Sequence, residues 1–244
     1  IYEAGAPTMK RMLLELGGKG ACIALDDADA DLAVHILTNT WTFHSGQICT
    51  TPTRAIIHRS KYDEVVEKLA AYAATLQVGD PWDPKTVVGP VITEAHRDRV
   101  NNYIAIGEKE GARLVVDGRD PHVAAEKGYY VGPTLLADCT PDMTTVREEI
   151  FGPVIVAMPF DDDDECLALA NGTDFGLYDY LCTADIERGM RFSRKLRSNV
   201  SLNTGLRLMD APFGGFKRSG IGRDGGEFGL HAYTEMQAVM WPAG

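Results

Sequence analysis

The 244-residue sequence predicts an α/β protein with a largely parallel sheet flanked by helices. Three observations carry this. Helical and strand-like segments alternate along the chain, the pattern of βαβ units. The clearest strand, VIVAMPF over 154–160, is apolar throughout. Apolar residues make up 45% and charged residues 24%, enough to bury a sizeable core and still face water.

The elements follow in order. Residues 6–14 carry a helical pattern, and 31–43 read as a helix with mixed apolar faces that Gly46 can stop. A short strand is expected at 54–58. Residues 61–77 form an amphipathic helix, with Val65, Val66, Leu69, Tyr72, Ala73 and Leu76 at helical spacing. The turn-forming residues of 79–84 give a loop. A long helix over 93–110 precedes a strand at 113–116, and 129–131 and 134–136 look extended around Gly132-Pro133. After the strand at 154–160 come a helix (164–171), a strand (178–182), a helix (186–196) and a strand (199–203). The last forty residues are rich in glycine and turns, with a final strand expected at 235–241.

Bulk properties narrow the function. A formal charge of −11 argues against nucleic acid and anionic membrane surfaces as partners, which call for a basic footprint. No apolar run approaches the ~20 residues that span a bilayer. Cysteines stand at 22, 49, 139, 166 and 182, an odd count without a Cys-x-x-Cys pair. That fits free thiols in a reducing, cytoplasmic setting. Histidines at 35, 44, 58, 96, 122 and 231 show no metal-site spacing with them, so no metal is expected. The first residue is Ile1, and the helical pattern begins at once, so a piece of a longer protein is expected.

Four short stretches carry the chemistry. FHSGQICTTP (43–52) places Cys49 between a glycine turn and a proline. A nucleophilic thiol needs access, rigid placement, and a lowered pKa or a nearby base. Taken alone, such a cysteine is more often a packing residue. LELGGK (14–19) sets Glu15 on an extended stretch ending at two glycines, where desolvation can make a carboxylate a better base. An edge-strand glutamate before a turn is the simpler reading. REEIFGP (147–153) joins two carboxylates to an aromatic, equipment for a ribose and a flat heterocycle, or a solvated charge pair ahead of a strand. APFGGFKRSG (211–220) reads as close backbone packing between segments.

In this order and spacing the four stretches resemble the aldehyde dehydrogenase superfamily, across essentially the whole chain. LELGGK is similar to its glutamate signature and FHSGQICTTPTR to its cysteine signature, and 34 residues separate Glu15 from Cys49, as in hydrolytic members. REEIFGPV, APFGGFKRSGIGR and the segment 227–235 resemble later blocks. The resemblance implies the catalytic α/β fold of that family with a C-terminal strand segment. Residues 1–20 would be a remnant of the cofactor-binding domain, 21–205 the catalytic domain, and 206–244 a segment returning to the cofactor domain and carrying an oligomerisation strand. It implies an enzyme that oxidises an aldehyde to a carboxylic acid with NAD or NADP. Cys49 would form a thiohemiacetal and then a thioester, and Glu15 would activate the hydrolytic water. Glu149 would bind the nicotinamide ribose, Phe151 would pack near the nicotinamide, and Leu16 and Gly17 would present backbone to its carboxamide. A homodimer or homotetramer is implied. Lys19 belongs to the signature without a chemical step of its own.

The sequence departs from the family at His44, at Gly132 and over 204–209, positions that bear on the pocket rather than the chemistry. Most of the family's cofactor domain would precede LELGGK, so the 244 residues alone are expected to be inactive. A module kept for oligomerisation or binding is the competing reading. A CoA-acylating enzyme is a third, disfavoured because a dedicated glutamate suits hydrolysis.

Overall fold

The computed structural model describes residues 1–121, 123 and 127–242. The chain opens with one helical turn, α1 (Tyr2–Gly5), and a 3-10 turn at Ala6–Thr8. The helix expected over 6–14 is not formed. Pro7 sits in the 3-10 turn and Met9 takes a left-handed φ of 49°, which ends it. Strand β1 (Leu14–Glu15) follows, then β2 (Ala21–Ala24), α2 (Ala30–Thr42), β3 (Arg54–His58), α3 (Arg59–Ala73) and α4 (Glu94–Glu110). Asp29 caps α2 and Thr93 caps α4, each side chain accepting a backbone N–H of the first turn. Next are β4 (Arg113–Val116), β5 (Thr134–Ala137), the short α5 (Thr144–Arg147), β6 (Val154–Phe160) and α6 (Asp163–Asn171). The chain then forms β7 (Phe175–Gly176), β8 (Tyr178–Cys182), α7 (Ile186–Ser193), β9 (Asn199–Leu202), β10 (Phe216–Lys217), β11 (Gly220–Ile221) and α8 (Gly226–Ala232).

Among the described residues, seven strands form one sheet in the order β4-β5-β6-β3-β2-β8-β9, parallel throughout except for β4 against β5. Alternate side chains divide the core. Ala21, Ile23, Ile56 and Val156 face a layer built on α4, α6 and α7, through Val100, Ile104, Cys166 and Phe192. Cys22, Ala24, Ile57 and Ile155 face α2 and α3, through Ile36, Trp41, Val65 and Leu69. Both faces of the sheet are therefore covered, which is why these strands read as continuous apolar runs.

Strand β2 was not foreseen. Its sequence, ACIA, has one β-branched residue and no alternation, yet it pairs with β3 on one side and β8 on the other. Small side chains suit a central strand with a helix packed on each face. The strand expected at 235–241 is not formed either. Those residues run without regular structure and without a β-partner among the described residues, leaving Met236, Val239, Met240 and Trp241 exposed.

Candidate active site

Three of the four stretches end just before strands that are neighbours in the sheet. LELGGK leads into β2 at Ala21, the cysteine loop into β3 at Arg54, and REEIFGP into β6 at Val154. Because β6, β3 and β2 are adjacent and parallel, their amino ends lie side by side and the three lead-in segments converge.

Backbone contact fastens them together. A Cβ on Gly18 would stand 2.2 Å from the carbonyl oxygen of Cys49, and one on Gly17 would stand 2.3 Å from Oε2 of Glu149. The Gly18 N–H donates to Oε1 of Glu149 at 2.9 Å. Gly46, with φ of 72°, brings the cysteine loop against the backbone of Gly152, whose oxygen would meet an added Cβ at 2.1 Å. The double glycine and the glycine before the cysteine are thus demanded by how closely these backbones approach. Within the cysteine loop, the Thr51 hydroxyl and amide both donate to the Ile48 carbonyl, closing a turn around Cys49.

Cys49 is half-buried, whereas Cys22, Cys139, Cys166 and Cys182 are buried. Burial pushes the Cys49 thiol up, and the Glu15 and Glu149 carboxylates push it the same way; its own backbone amide and Arg207 pull it down. Of the two routes to an active thiol, a lowered pKa or a nearby base, this environment leaves the second. Glu15 supplies one. Strand β1 pairs with β11, Glu15 opposite Gly220, which sets its exposed side chain at the rim near Cys49. Partial burial raises its carboxyl first and the Asp224 carboxylate second, against the Gly215 amide, Arg223 and Arg207. Both groups are therefore shifted toward holding a proton.

The REEIFGP segment is clamped by α4. Arg99 donates to the carbonyls of Glu149 and Ile150, both at 2.6 Å. His96 Nε2 lies 2.7 Å from the Phe151 carbonyl. Phe151 takes a φ of 61°, a conformation costing about 1–2 kcal/mol for a non-glycine residue, and the clamp holds it there. Its ring meets that of His96 edge to face, with centroids 6.2 Å apart. Glu148, the other carboxylate of the pair, is occupied by the Tyr103 hydroxyl at 2.6 Å. Glu149 lines a polar cleft of about 490 Å³ together with Arg99 and Arg218. The Leu16 N–H donates to the Ser219 carbonyl at 3.0 Å, and the Leu16 side chain is exposed.

Behind the site lie buried charges that the sequence did not disclose. Arg54 donates to the carbonyls of Lys19, Leu169 and Ala170, and Asp179 accepts the Ala21 N–H at 2.7 Å. Lys19 is buried, and its Nζ has no hydrogen-bond partner among the described residues. Burial, then the neighbouring Arg54, brings its pKa down to about 7. Arg207 and Asp224 were also missed as neighbours of the thiol and the base. The only signal for Arg207 was a lone cation between two leucines.

A half-buried thiol beside a carboxylate, with a second carboxylate anchored to the same glycine loop, is equipment for covalent chemistry on a carbonyl. The comparisons give the family. The sequence model described as "Aldehyde dehydrogenase family" matches residues 1–239, and the chain belongs to that family. It is 39% identical over 242 residues to a betaine aldehyde dehydrogenase of Brucella anthropi, covering 98% of this chain and 50% of that protein. It is also 39% identical over 241 residues to a 3-succinoylsemialdehyde-pyridine dehydrogenase of a Pseudomonas species. Among solved structures, a Mycobacterium tuberculosis aldehyde dehydrogenase complexed with NAD+ superposes with a TM-score of 0.94 at 38% identity, covering 98% of this chain and 50% of that one. The NAD+ complex of a Bacillus cereus aldehyde dehydrogenase gives a TM-score of 0.90 at 40% identity, covering 96% and 47%. The chain spans about half the length of the curated relatives it matches.

Proposed function

We propose that these residues supply the thiol and the base of an NAD- or NADP-dependent oxidation of an aldehyde to a carboxylic acid. The observation that carries the reading is the convergence of Cys49, Glu15 and Glu149 on the Gly17-Gly18 loop. Glu15, or water beside it, takes the Cys49 proton as the sulfur attacks the carbonyl carbon, giving a thiohemiacetal. A bound nicotinamide would supply hydride acceptance, the oxidation that separates such an adduct from a thioester. Glu15 then takes a proton from water, the hydroxide adds to the acyl carbon, and the C–S bond breaks to return the thiolate.

The residues present suit the cofactor. Glu149 spends Oε1 on Gly18, its side chain lines the polar cleft, and Gly17 leaves room beside it that a Cβ would fill. Those features support Glu149 as the ribose-binding carboxylate, with Leu16, Gly17 and Phe151 bordering the ring. By the same reading, residues 1–20 belong to a cofactor-binding domain, 21–205 to the catalytic domain, and 206–244 to a returning segment. The exposed apolar residues of 235–241 suit pairing with a second copy in a dimer or tetramer. Free cysteines at 22, 49, 139, 166 and 182 support a reducing, cytoplasmic setting.

The test is the natural full-length polypeptide given an aldehyde with NAD, then with NADP. We expect aldehyde-dependent reduction of one of them, its loss in Cys49→Ala, and accumulation of an acylated Cys49 peptide in Glu15→Gln. Turnover that survives Cys49→Ala overturns the reading. A Glu15→Gln variant that needs CoA for turnover, as the wild type does, favours the acylating alternative.

A further inference from the structure

The cavity beside Cys49 contains a cation that the conserved-looking stretches do not account for. Arg207 lies on the loop after β9. Its guanidinium stacks over the Phe213 ring at 3.9 Å from the centroid and lies 5.8 Å from that of Tyr178. It lines a cavity of about 380 Å³ with Ile48 and Thr50, the residues on either side of Cys49. Its charge acts on both Cys49 and Glu15, which places it within electrostatic reach of the reacting carbon. Arg188, by contrast, is tied to Asp26 and Asp163, while Arg207 has no ion-pair partner among the described residues.

Stacking of this kind uses the face of a guanidinium and leaves its in-plane N–H edge free. That edge matches a carboxylate, which it can bind through two parallel hydrogen bonds. The same fixed charge repels a quaternary ammonium group, the feature a betaine aldehyde presents. We propose that the substrate is an aldehyde bearing a carboxylate a few carbons from the carbonyl, and that Arg207 reads this carboxylate. The proposal rests on the aldehyde dehydrogenase reading above and adds a substrate class that differs from the one named for the betaine aldehyde relatives.

The experiment measures kcat/KM of the natural full-length polypeptide for 4-oxobutanoate, butanal and betaine aldehyde. We expect 4-oxobutanoate to exceed butanal by about tenfold or more, mainly through KM, with betaine aldehyde lowest. The advantage should shrink in ~0.5 M salt, because a solvent-exposed ion pair is screened. Arg207→Gln should bring the 4-oxobutanoate to butanal ratio close to one, and Arg207→Lys should keep part of the preference. Butanal matching or exceeding 4-oxobutanoate in the wild type overturns the proposal alone, as does a ratio unchanged in Arg207→Gln. Failure to oxidise any of the three removes the aldehyde dehydrogenase reading and this one with it.

Discussion

The Gly18 amide donates to Oε1 of Glu149 at 2.9 Å and joins two segments 131 residues apart in sequence. This bond fixes the ribose-binding candidate relative to the loop that touches Cys49, so the proposed cofactor and thiol sites are positioned by one turn of backbone.

That arrangement separates the two glycines. Gly17→Ala puts a methyl 2.3 Å from a carboxylate oxygen at the end of a side chain, which can swing away. We expect a folded protein with KM for the cofactor raised about tenfold or more. Gly18→Ala meets the Cys49 carbonyl, which is backbone, so overpacking of about 1–3 kcal/mol should appear in denaturant unfolding. Equal effects of the two substitutions on stability would contradict the geometry.

Alkylation by iodoacetamide, read peptide by peptide, should mark Cys49 ahead of the four buried cysteines. Because burial and two carboxylates hold its thiol above the ordinary value of 9.0, the rate should keep climbing past pH 9. Glu15→Gln removes one of those carboxylates and should move the profile toward neutral pH. An unmoved profile would mean that Glu15 does not act on the sulfur.

Asp224 is the second cause of the raised Glu15 carboxyl. A base works only when deprotonated, so the acid limb of kcat should lie above the ordinary carboxylate value of 4.5. Asp224→Asn should carry that limb to lower pH. A limb that stays in place would assign it to another group.

Lys19 makes stability depend on pH in a defined direction. Its pKa is about 7 in the folded chain against an ordinary 10.5, so the unfolded chain binds the extra proton between those values. The penalty is full below pH 7 and is relieved as pH rises toward 10.5, by at most ~1.4 kcal/mol per pH unit. Urea unfolding of the wild type and Lys19→Met should therefore differ most near pH 7 and converge near pH 10. A constant difference would show that the amine does not titrate in this window.

Much of this site was legible in the sequence because its chemistry is concentrated in short stretches. Cys49, Glu15 and Glu149 each stand among glycines or prolines, and glycine marks the close backbone approaches seen at Gly17, Gly18 and Gly46. What escaped was partnership at long range. His96 and Arg99 look like ordinary polar positions of an amphipathic helix, and nothing local says that they grip Phe151 and Glu149. Strand β2 escaped because its small residues are set by two covering helices rather than by β-propensity. The segment 235–241 has a strand-like composition, but strand formation requires a neighbouring edge, and none lies beside it among the described residues.

The common amino edge of β2, β3 and β6 limits how related sequences can vary. Glu15 lies six residues before Ala21, Cys49 five before Arg54, and Glu149 five before Val154. Insertions in the helices and crossovers that join these strands lengthen the chain far from the reacting atoms and should be tolerated. Loss of one residue from any of the three short leads would either pull its functional group away from the others or slip the strand by one place, turning its buried side chains to the wrong face. Across relatives, the lengths of these three leads should therefore be nearly invariant while the intervals between them drift.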